Sequence, residues 1–246
     1  MAQYWIYTPF EFAAALLIVC AGGVVRGFTG FGSGLVMAPL LALLWGPVEA
    51  IAVMTLLGIT SSVQILPRAI PLANWKETGP MMLAAIAGAP LGTAMLVSLD
   101  PAIVKRIIAG FVLLATIITM AGWQYRGPRG TFPAAVAGAL TGIINGLAGV
   151  GGPATVLYLM SLPEKAEIHR ANIVCAMGVA STMVGVSLLA AGVLTPRVWT
   201  HTLIFLAPSI LSVWLGVWLF DRLPAKLFRW IILWFLLFVS GAILIA

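Results

Sequence analysis

The chain has 246 residues, of which 62% are hydrophobic and only 8% are charged, and its formal net charge is +6. Water-soluble domains carry about 25% charged residues, so the composition excludes a soluble enzyme, a nucleic-acid-binding domain and a disordered protein. It predicts an all-α polytopic membrane protein, because transmembrane β-strands alternate polar and apolar residues and are less hydrophobic overall.

Apolar runs separated by proline, glycine and charged residues predict ten membrane segments, five in each half of the chain. They lie at about 9–26, 34–46, 48–66, 79–98, 102–121, 131–147, 153–162, 171–193, 198–220 and 225–245. At about 1.5 Å per residue, segments 34–46 and 153–162 reach only about 20 and 15 Å. A bilayer core is about 30 Å thick, so we expect both to be half-helices. The first two segments of each half then form a broken or re-entrant hairpin, and whether the short segments span or re-enter stays open.

A glycine motif that occurs twice indicates an internal duplication. The motif at Gly27–Gly34 recurs at Gly146–Pro153, 119 positions later. Farther along, Gly58–Ser62 recurs at Gly178–Thr182 with a shift of 120. Shifts that change so little across half the chain are the signature of a repeat.

The duplication predicts two repeats, residues 1–126 and 127–246, within one transmembrane domain. The helix opening at Pro101–Arg106 supports this division, since it recurs at Pro224–Arg229 with a shift of 123. Each repeat contains either five spanning segments or three and a re-entrant hairpin, and both numbers are odd. The second repeat therefore starts on the opposite side of the membrane, which is the inverted topology of many transporters.

The basic residues predict the orientation in the membrane, because cytoplasmic loops are enriched in Lys and Arg. With the N-terminus outside, nine basic residues fall in cytoplasmic loops and three in outer loops. We therefore expect both termini to lie outside the cytoplasm. Arg26 belongs to neither set, since it follows an apolar run within the membrane zone.

Each glycine motif lies between a long apolar segment and a half-helix. Glycine permits backbone turns that other residues resist, and the start of a half-helix presents unpaired N–H groups and a positive dipole end. Such a tip suits an anion, and broken helices of this kind form the substrate sites of inverted-repeat transporters. The alternative is close helix packing, which the four-residue spacing of Gly138, Gly142 and Gly146 supports.

The candidate substrate-binding residues lie in the two motifs and directly before them. An ionisable residue such as Arg26 within the membrane indicates function by default, although an anchor at the cytoplasmic helix end is the alternative. Its counterpart in the second motif is Asn145, so the pair suits an anionic ligand better than a cationic one. The full set is Arg26, Thr29, Gly30, Gly32, Ser33, Gly34, Asn145, Gly149, Gly151 and Gly152.

Polar residues elsewhere in the apolar segments are weaker candidates. Hydroxyl groups in membrane helices usually bond to their own backbone or to a neighbouring helix. This interpretation applies to Thr60, Ser61, Ser62, Thr141, Ser181 and Thr182. His169 and His201 lie near loops, where we expect them at the surface.

The sequence shows no nucleotide-binding loop, no metal-ligand cluster and no nucleophile–base pair, and no carboxylate lies centrally in an apolar segment. We therefore expect no enzyme activity, no catalytic residue, no metal and no cofactor. The expected partners are a small anionic substrate and membrane lipid, without nucleic acid. The sequence leaves a homodimer open.

The motifs resemble those of the TauE/SafE family of bacterial membrane permeases. The resemblance rests on Gly27–Gly34 running into Met37–Pro39, on Asn145–Pro153, and on the helix opening at Pro101 with its copy, and it covers nearly the whole chain. It implies an inner-membrane location, with both termini periplasmic in the orientation above, and the movement of sulfite or organosulfonates. Pro153 replaces a glycine-like position of the motif, so the two copies are not equivalent.

The expected function is secondary transport of small sulfur-containing anions, held between two Gly-rich hairpin tips and exported from the cytoplasm. An anion that leaves a cell with an inside-negative potential gains about 2.3 kcal/mol per 100 mV for each charge, so export needs no coupling carboxylate. The alternatives are a passive anion channel and a membrane assembly protein that transports nothing.

Overall fold

The structure is a computed structural model that describes residues 8–123, 125–220, 222, 234 and 237. This part of the chain contains nine α-helices and a short 3-10 helix, Ile70–Leu72, and it has no strand. The predicted all-α class is therefore confirmed. In chain order the α-helices are α1 (Pro9–Thr29), α2 (Ser33–Trp45), α3 (Pro47–Ala69), α4 (Trp75–Ser98), α5 (Pro101–Met120), α6 (Thr131–Ala148), α7 (Gly152–Leu159), α8 (Ala166–Ala190) and α9 (Pro196–Phe220).

Seven of the described helices are long and apolar enough to cross a membrane, and the chain is a multi-pass membrane protein. The other two are α2, with 13 residues, and α7, with eight, at the positions of the two predicted half-helices. The tenth predicted segment, 225–245, lies outside the described residues except for two positions, and so does the repeated helix opening at Pro224–Arg229.

Local capping sequences set several helix starts. Ahead of α1, the Glu11 N–H donates to Thr8 Oγ1 (3.2 Å) and the Thr8 N–H donates to Glu11 Oε2 (3.0 Å), a reciprocal capping box. Asp100 caps α5 by accepting the Ala102 N–H at 2.7 Å. Pro101 takes the first helical position there, where its missing N–H costs nothing. Because caps are local, these starts agree closely with the predicted segments.

Two helix pairs pack closely enough for their backbones to touch. α4 packs against α6, and α1 packs against α9. A Cβ added to Gly142 of α6 would collide with the carbonyl oxygen of Ala85 in α4, and one added to Gly27 of α1 would collide with that of Val213 in α9. Close van der Waals packing of this kind holds membrane helices together. Each pair joins a helix of the first predicted repeat to a helix of the second.

The centre of the protein is formed by α3 and α8. They pack against each other and are the most buried of the spanning helices. The outer helices turn large apolar side chains outward, and Leu203, Leu211 and Trp214 of α9 are exposed examples. Such surface suits contact with lipid tails rather than with water.

Polar contacts join α3 and the following connection to the second half of the chain. At the start of α3, Glu49 Oε1 lies 3.1 Å from Arg197 Nε and 2.7 Å from His201 Nδ1. Beyond its end, the Asn74 N–H donates to Asn172 Oδ1 over 2.7 Å. The surface position predicted for His201 is wrong, because this contact with Glu49 lets the imidazole lie in the interior, 3% exposed.

Candidate functional site

The two helical hairpins, α1–α2 and α6–α7, turn through glycines. Gly30 ends α1 with φ 82°, Gly32 precedes α2 with φ 86°, and Gly149 ends α6 with φ 70°. These values lie in the left-handed region, which glycine adopts without strain. Gly151 differs, with φ −61°, and glycine is needed there for space, since an added Cβ would lie 2.6 Å from the Thr141 carbonyl oxygen.

Two of the predicted backbone donors are used inside the turns. The Gly30 N–H donates to the Arg26 carbonyl over 2.8 Å, and the Gly149 N–H donates to the Asn145 carbonyl over 2.9 Å. Each bond closes the last turn of its helix. These N–H groups therefore cap helices and do not point to an anion.

Other N–H groups at the tips have no acceptor among the described residues. They include those of Gly32, Ser33 and Gly34 in the first hairpin, and those of Val150 and Gly152 in the second. The first residues of a helix lack intrahelical acceptors, so such groups bond to water or to a ligand. The positive dipole ends of α2 and α7 lie at the same place.

The two tips meet in the interior, beside α3 and α8. Gly34 lies so close to the Gly149 carbonyl that an added Cβ would collide with it. Around this contact is a narrow cleft that is partly open. It is lined by Arg26, Gly32, Ser33, Gly34, Leu35, Met54, Thr55, Gly58, Asn145, Gly149, Val150, Gly152, Pro153, Met177 and Ser181.

Arg26 supplies the positive charge of the cleft. It is 5% exposed, and its Nη2 donates to Ser62 Oγ (2.7 Å) and to the Gly58 carbonyl (3.2 Å). Its Nε has no acceptor, and no carboxylate in the described ranges pairs with it. A buried charge is costly unless it is paired, so this guanidinium lacks the negative partner that an anionic ligand supplies. A topology anchor keeps its charge in water, so the burial argues against that alternative.

Asn145 holds the matching place in the second hairpin without a charge. It is buried, and its Oδ1 accepts the Gly151 N–H at a long 3.4 Å. The cleft therefore has a cationic side, formed by Arg26, and a neutral side, formed by this amide. The arrangement suits a small anion that contacts the guanidinium on one side and neutral donors on the other.

The structure brings seven of the ten predicted binding residues to the cleft, namely Arg26, Gly32, Ser33, Gly34, Asn145, Gly149 and Gly152. The other three shape the turns instead. Thr29 Oγ1 accepts the Phe31 N–H at 3.2 Å and donates to the Val25 carbonyl at 2.8 Å. Gly30 and Gly151 make the hydrogen bonds described above, and neither of them lines the cleft.

The sequence-based prediction missed lining residues from the two central helices. Met54, Thr55 and Gly58 of α3 line the cleft, as does Met177 of α8. The recurrence of Gly58–Ser62 is the one sequence signal that points to this part of α3. Methionine gives no such signal, because it is an ordinary filler of apolar interiors.

Comparison with known protein families covers the same part of the chain. A family model described as Sulfite exporter TauE/SafE matches residues 14–243, a range that includes the tips of both hairpins and every residue lining the cleft. The chain belongs to the TauE/SafE family. It is thus a member of a membrane transporter family of the sulfite-exporter type, and the predicted resemblance is confirmed. Comparisons with curated proteins and with solved structures gave no match.

Proposed function

We propose that the protein is a secondary transporter that exports small sulfur-containing anions, sulfite or organosulfonates, from the cytoplasm. The substrate binds in the cleft between the tips of α1–α2 and α6–α7. The observation that carries the proposal is Arg26, which is buried at the cleft without an acidic partner in the described part of the chain. Membership of the TauE/SafE family is the reason for proposing a sulfur-containing substrate.

The groups around Arg26 suit a ligand with several oxygen atoms. The N–H groups of Ser33 and Gly34 lack acceptors among the described residues, and the Arg26 guanidinium, which lines the same cleft, has no carboxylate partner there. The oxygens of a sulfite or sulfonate ion are acceptors, and hydrogen bonds between charged partners are the strong ones. Donors on several sides compensate for the water that the anion loses on entering the cleft.

The lining of the cleft favours export. None of the described residues around it is acidic. Import of an anion against an inside-negative potential needs a coupled ion, and such coupling usually places a carboxylate within the membrane. An anion moving outward gains about 2.3 kcal/mol per 100 mV for each charge, so export proceeds without one.

In our proposal, residues 1–126 and 127–246 are inverted repeats that move against each other. If the first repeat is aligned with the second, α1 corresponds to α6, α2 to α7, and α4 to α9. The close pairs α1–α9 and α4–α6 support it, because each pair is then the image of the other. Movement of one repeat against the other opens the cleft to each side of the membrane in turn.

We further propose a bacterial inner-membrane location with both termini in the periplasm. In that orientation the connections α3–α4 and α7–α8 face the cytoplasm. Their basic residues Arg68, Lys76 and Lys165 are exposed, as the enrichment of Lys and Arg in cytoplasmic loops requires.

Sulfite flux in proteoliposomes made with the purified chain tests this function. Wild-type protein is expected to give saturable flux that shows counterflow. Arg26→Ala is expected to lower the flux about a hundredfold or more, the scale of a lost hydrogen-bonded charge. Arg68→Ala removes an exposed arginine away from the cleft and is expected to leave the flux unchanged.

Each alternative gives a different result. Flux without saturation or counterflow identifies a passive anion channel, and folded protein without any flux identifies a membrane assembly protein. If Arg26→Ala transports sulfite as fast as wild-type protein does, the cleft is not part of the transport path. If Arg26→Ala does not fold, Arg26→Lys tests the role of Arg26 instead. It keeps the charge and is expected to transport sulfite with a raised KM.

A further inference from the structure

Many Ser and Thr hydroxyl groups in the described helices donate to the carbonyl four residues earlier. Thr60 donates to the Leu56 carbonyl (3.1 Å), and Thr182 donates to the Gly178 carbonyl (2.8 Å). The same bond is made by Thr29, Ser62, Thr116, Thr119, Thr141, Ser187, Thr200 and Thr202. A hydroxyl that makes this bond is largely satisfied and has little need of a ligand.

Thr55 and Ser181 depart from this pattern inside the cleft. They are 6% and 5% exposed, and both line the cleft. Neither hydroxyl has a hydrogen-bond partner in the part of the chain that the structure describes, and neither oxygen is sealed off by protein. Since buried polar groups are almost always hydrogen-bonded, both hydroxyls are available to whatever fills the cleft.

Both residues line the cleft that contains Arg26. The Gly58 carbonyl accepts from Arg26 Nη2, and a Cβ added to Gly58 would lie 3.9 Å from Ser181 Oγ. Thr55 precedes Gly58 by less than one turn of α3 and lines the same cleft. An anion that contacts the guanidinium therefore has one hydroxyl from α3 and one from α8 beside it.

The corresponding positions in the other repeat offer no such hydroxyl. With the shift of 120, Ser181 corresponds to Ser61, which donates to the Gly58 carbonyl over 2.9 Å. Thr55 corresponds to Cys175, which does not line the cleft. The two unpartnered hydroxyls are thus not a general feature of the repeated helix, and they occur where the charge of Arg26 is.

We propose that Thr55 and Ser181 are substrate-binding residues that donate hydrogen bonds to the oxygens of the anion held by Arg26. This inference rests on the transport function proposed above. Without substrate the hydroxyls bond to water; an oxyanion replaces that water with a charged acceptor, which gives a stronger bond. Because α3 and α8 come from different halves of the chain, both halves contribute a hydrogen bond to the anion.

Kinetics of sulfite flux with Thr55→Val and Ser181→Ala test the inference. Each change removes one hydroxyl and is expected to raise the KM for sulfite about tenfold to a hundredfold, the effect of losing a hydrogen bond to a charged group. Thr60→Val and Thr182→Val are matched controls on the same two helices, since their hydroxyls bond to the backbone. They are expected to keep the KM within about twofold of wild type.

The outcomes separate this inference from the proposed function. If wild-type protein transports sulfite and Thr55→Val and Ser181→Ala behave like the two controls, the hydroxyls do not bind substrate. If folded wild-type protein neither transports sulfite nor is stabilised by it against heat, the proposed function fails as well. Thr55→Ser retains the hydroxyl and is expected to keep the wild-type KM. If Thr55→Val does not fold, the KM of Ser181→Ala alone tests whether the hydroxyls bind substrate.

Discussion

The two hairpins share one plan and differ in chemistry. The turn of α1–α2 contains two left-handed glycines, and that of α6–α7 contains one. The first is followed by a helix of 13 residues and the second by one of eight. Beside the first tip lies Arg26, and beside the second lies Asn145, both buried at the same cleft.

This difference shows how two similar hairpins can line one cleft that has a single charge. Two arginines that faced each other across one closed cleft would repel and would both lack a carboxylate. With one arginine and one amide, the donors of both tips converge on a single cationic centre. The glycines common to both hairpins shape the cleft, and the residues that differ, Arg26 and Asn145, leave it with one charge.

The largest effect is expected from exchanging the two side chains. Arg26→Asn makes the first hairpin resemble the second and is expected to lower sulfite flux about a hundredfold or more. Adding Asn145→Arg moves the charge across the cleft. Under the proposed correspondence of the repeats, the Gly178 carbonyl and the Thr182 hydroxyl take the places of the Gly58 carbonyl and the Ser62 hydroxyl as partners of the new arginine.

The double variant is therefore expected to recover about tenfold or more of the flux that the single variant loses. Flux from both variants is measured in the same proteoliposomes, with the folded fraction checked by size exclusion. A folded double variant no better than Arg26→Asn would show that the two repeats do not correspond at the level of side chains.

A smaller effect is expected where the tips touch. Gly34→Ala places a methyl group against the Gly149 carbonyl, so the tips must separate, and overpacking of this kind costs about 1–3 kcal/mol of stability. The corresponding change in the second hairpin, Pro153→Ala, adds no atom to the contact and is expected to cost less than about 1 kcal/mol. Thermal unfolding in detergent measures both. Equal losses of stability would mean that the contact between the tips is not tight.

The sequence predicts the helices well and their faces poorly. Nine of the ten predicted segments correspond to described helices, because apolar length and end signals such as the Thr8–Glu11 capping box are local. Which face of a helix meets which neighbour depends on the whole assembly. A membrane helix is apolar toward lipid and toward protein, so periodicity does not show that His201 or Thr55 points inward.

The candidate site is predictable to a similar extent. Arg26 is visible in the sequence because a lone charge after an apolar run is rare. The different roles of neighbouring glycines are not visible, because they depend on where each helix ends and which N–H group closes its last turn. Gly30 and Gly149 cap their helices, whereas the N–H groups of Gly32 and Gly34 remain without acceptors among the described residues.

The smallest effect is expected from changing the side chains behind the two hairpins, Ser62 and Thr182. Ser62 accepts from Arg26 Nη2, whereas its counterpart Thr182 bonds to its own helix. Ser62→Ala leaves the Gly58 carbonyl as the remaining partner of Nη2 and is expected to raise the sulfite KM about two- to tenfold with kcat unchanged, because the guanidinium is less well positioned. Thr182→Val is expected to change neither constant.

Ser62→Thr separates positioning from packing. It retains the hydroxyl and is expected to restore the KM, whereas a role in packing alone predicts no rescue by an added methyl group. A KM that stays at the wild-type value in Ser62→Ala would mean that the Gly58 carbonyl suffices to hold Arg26. In that case the charge is positioned by a glycine carbonyl, a group that the second repeat also has at Gly178, and the contrast between the two halves lies in Arg26 alone.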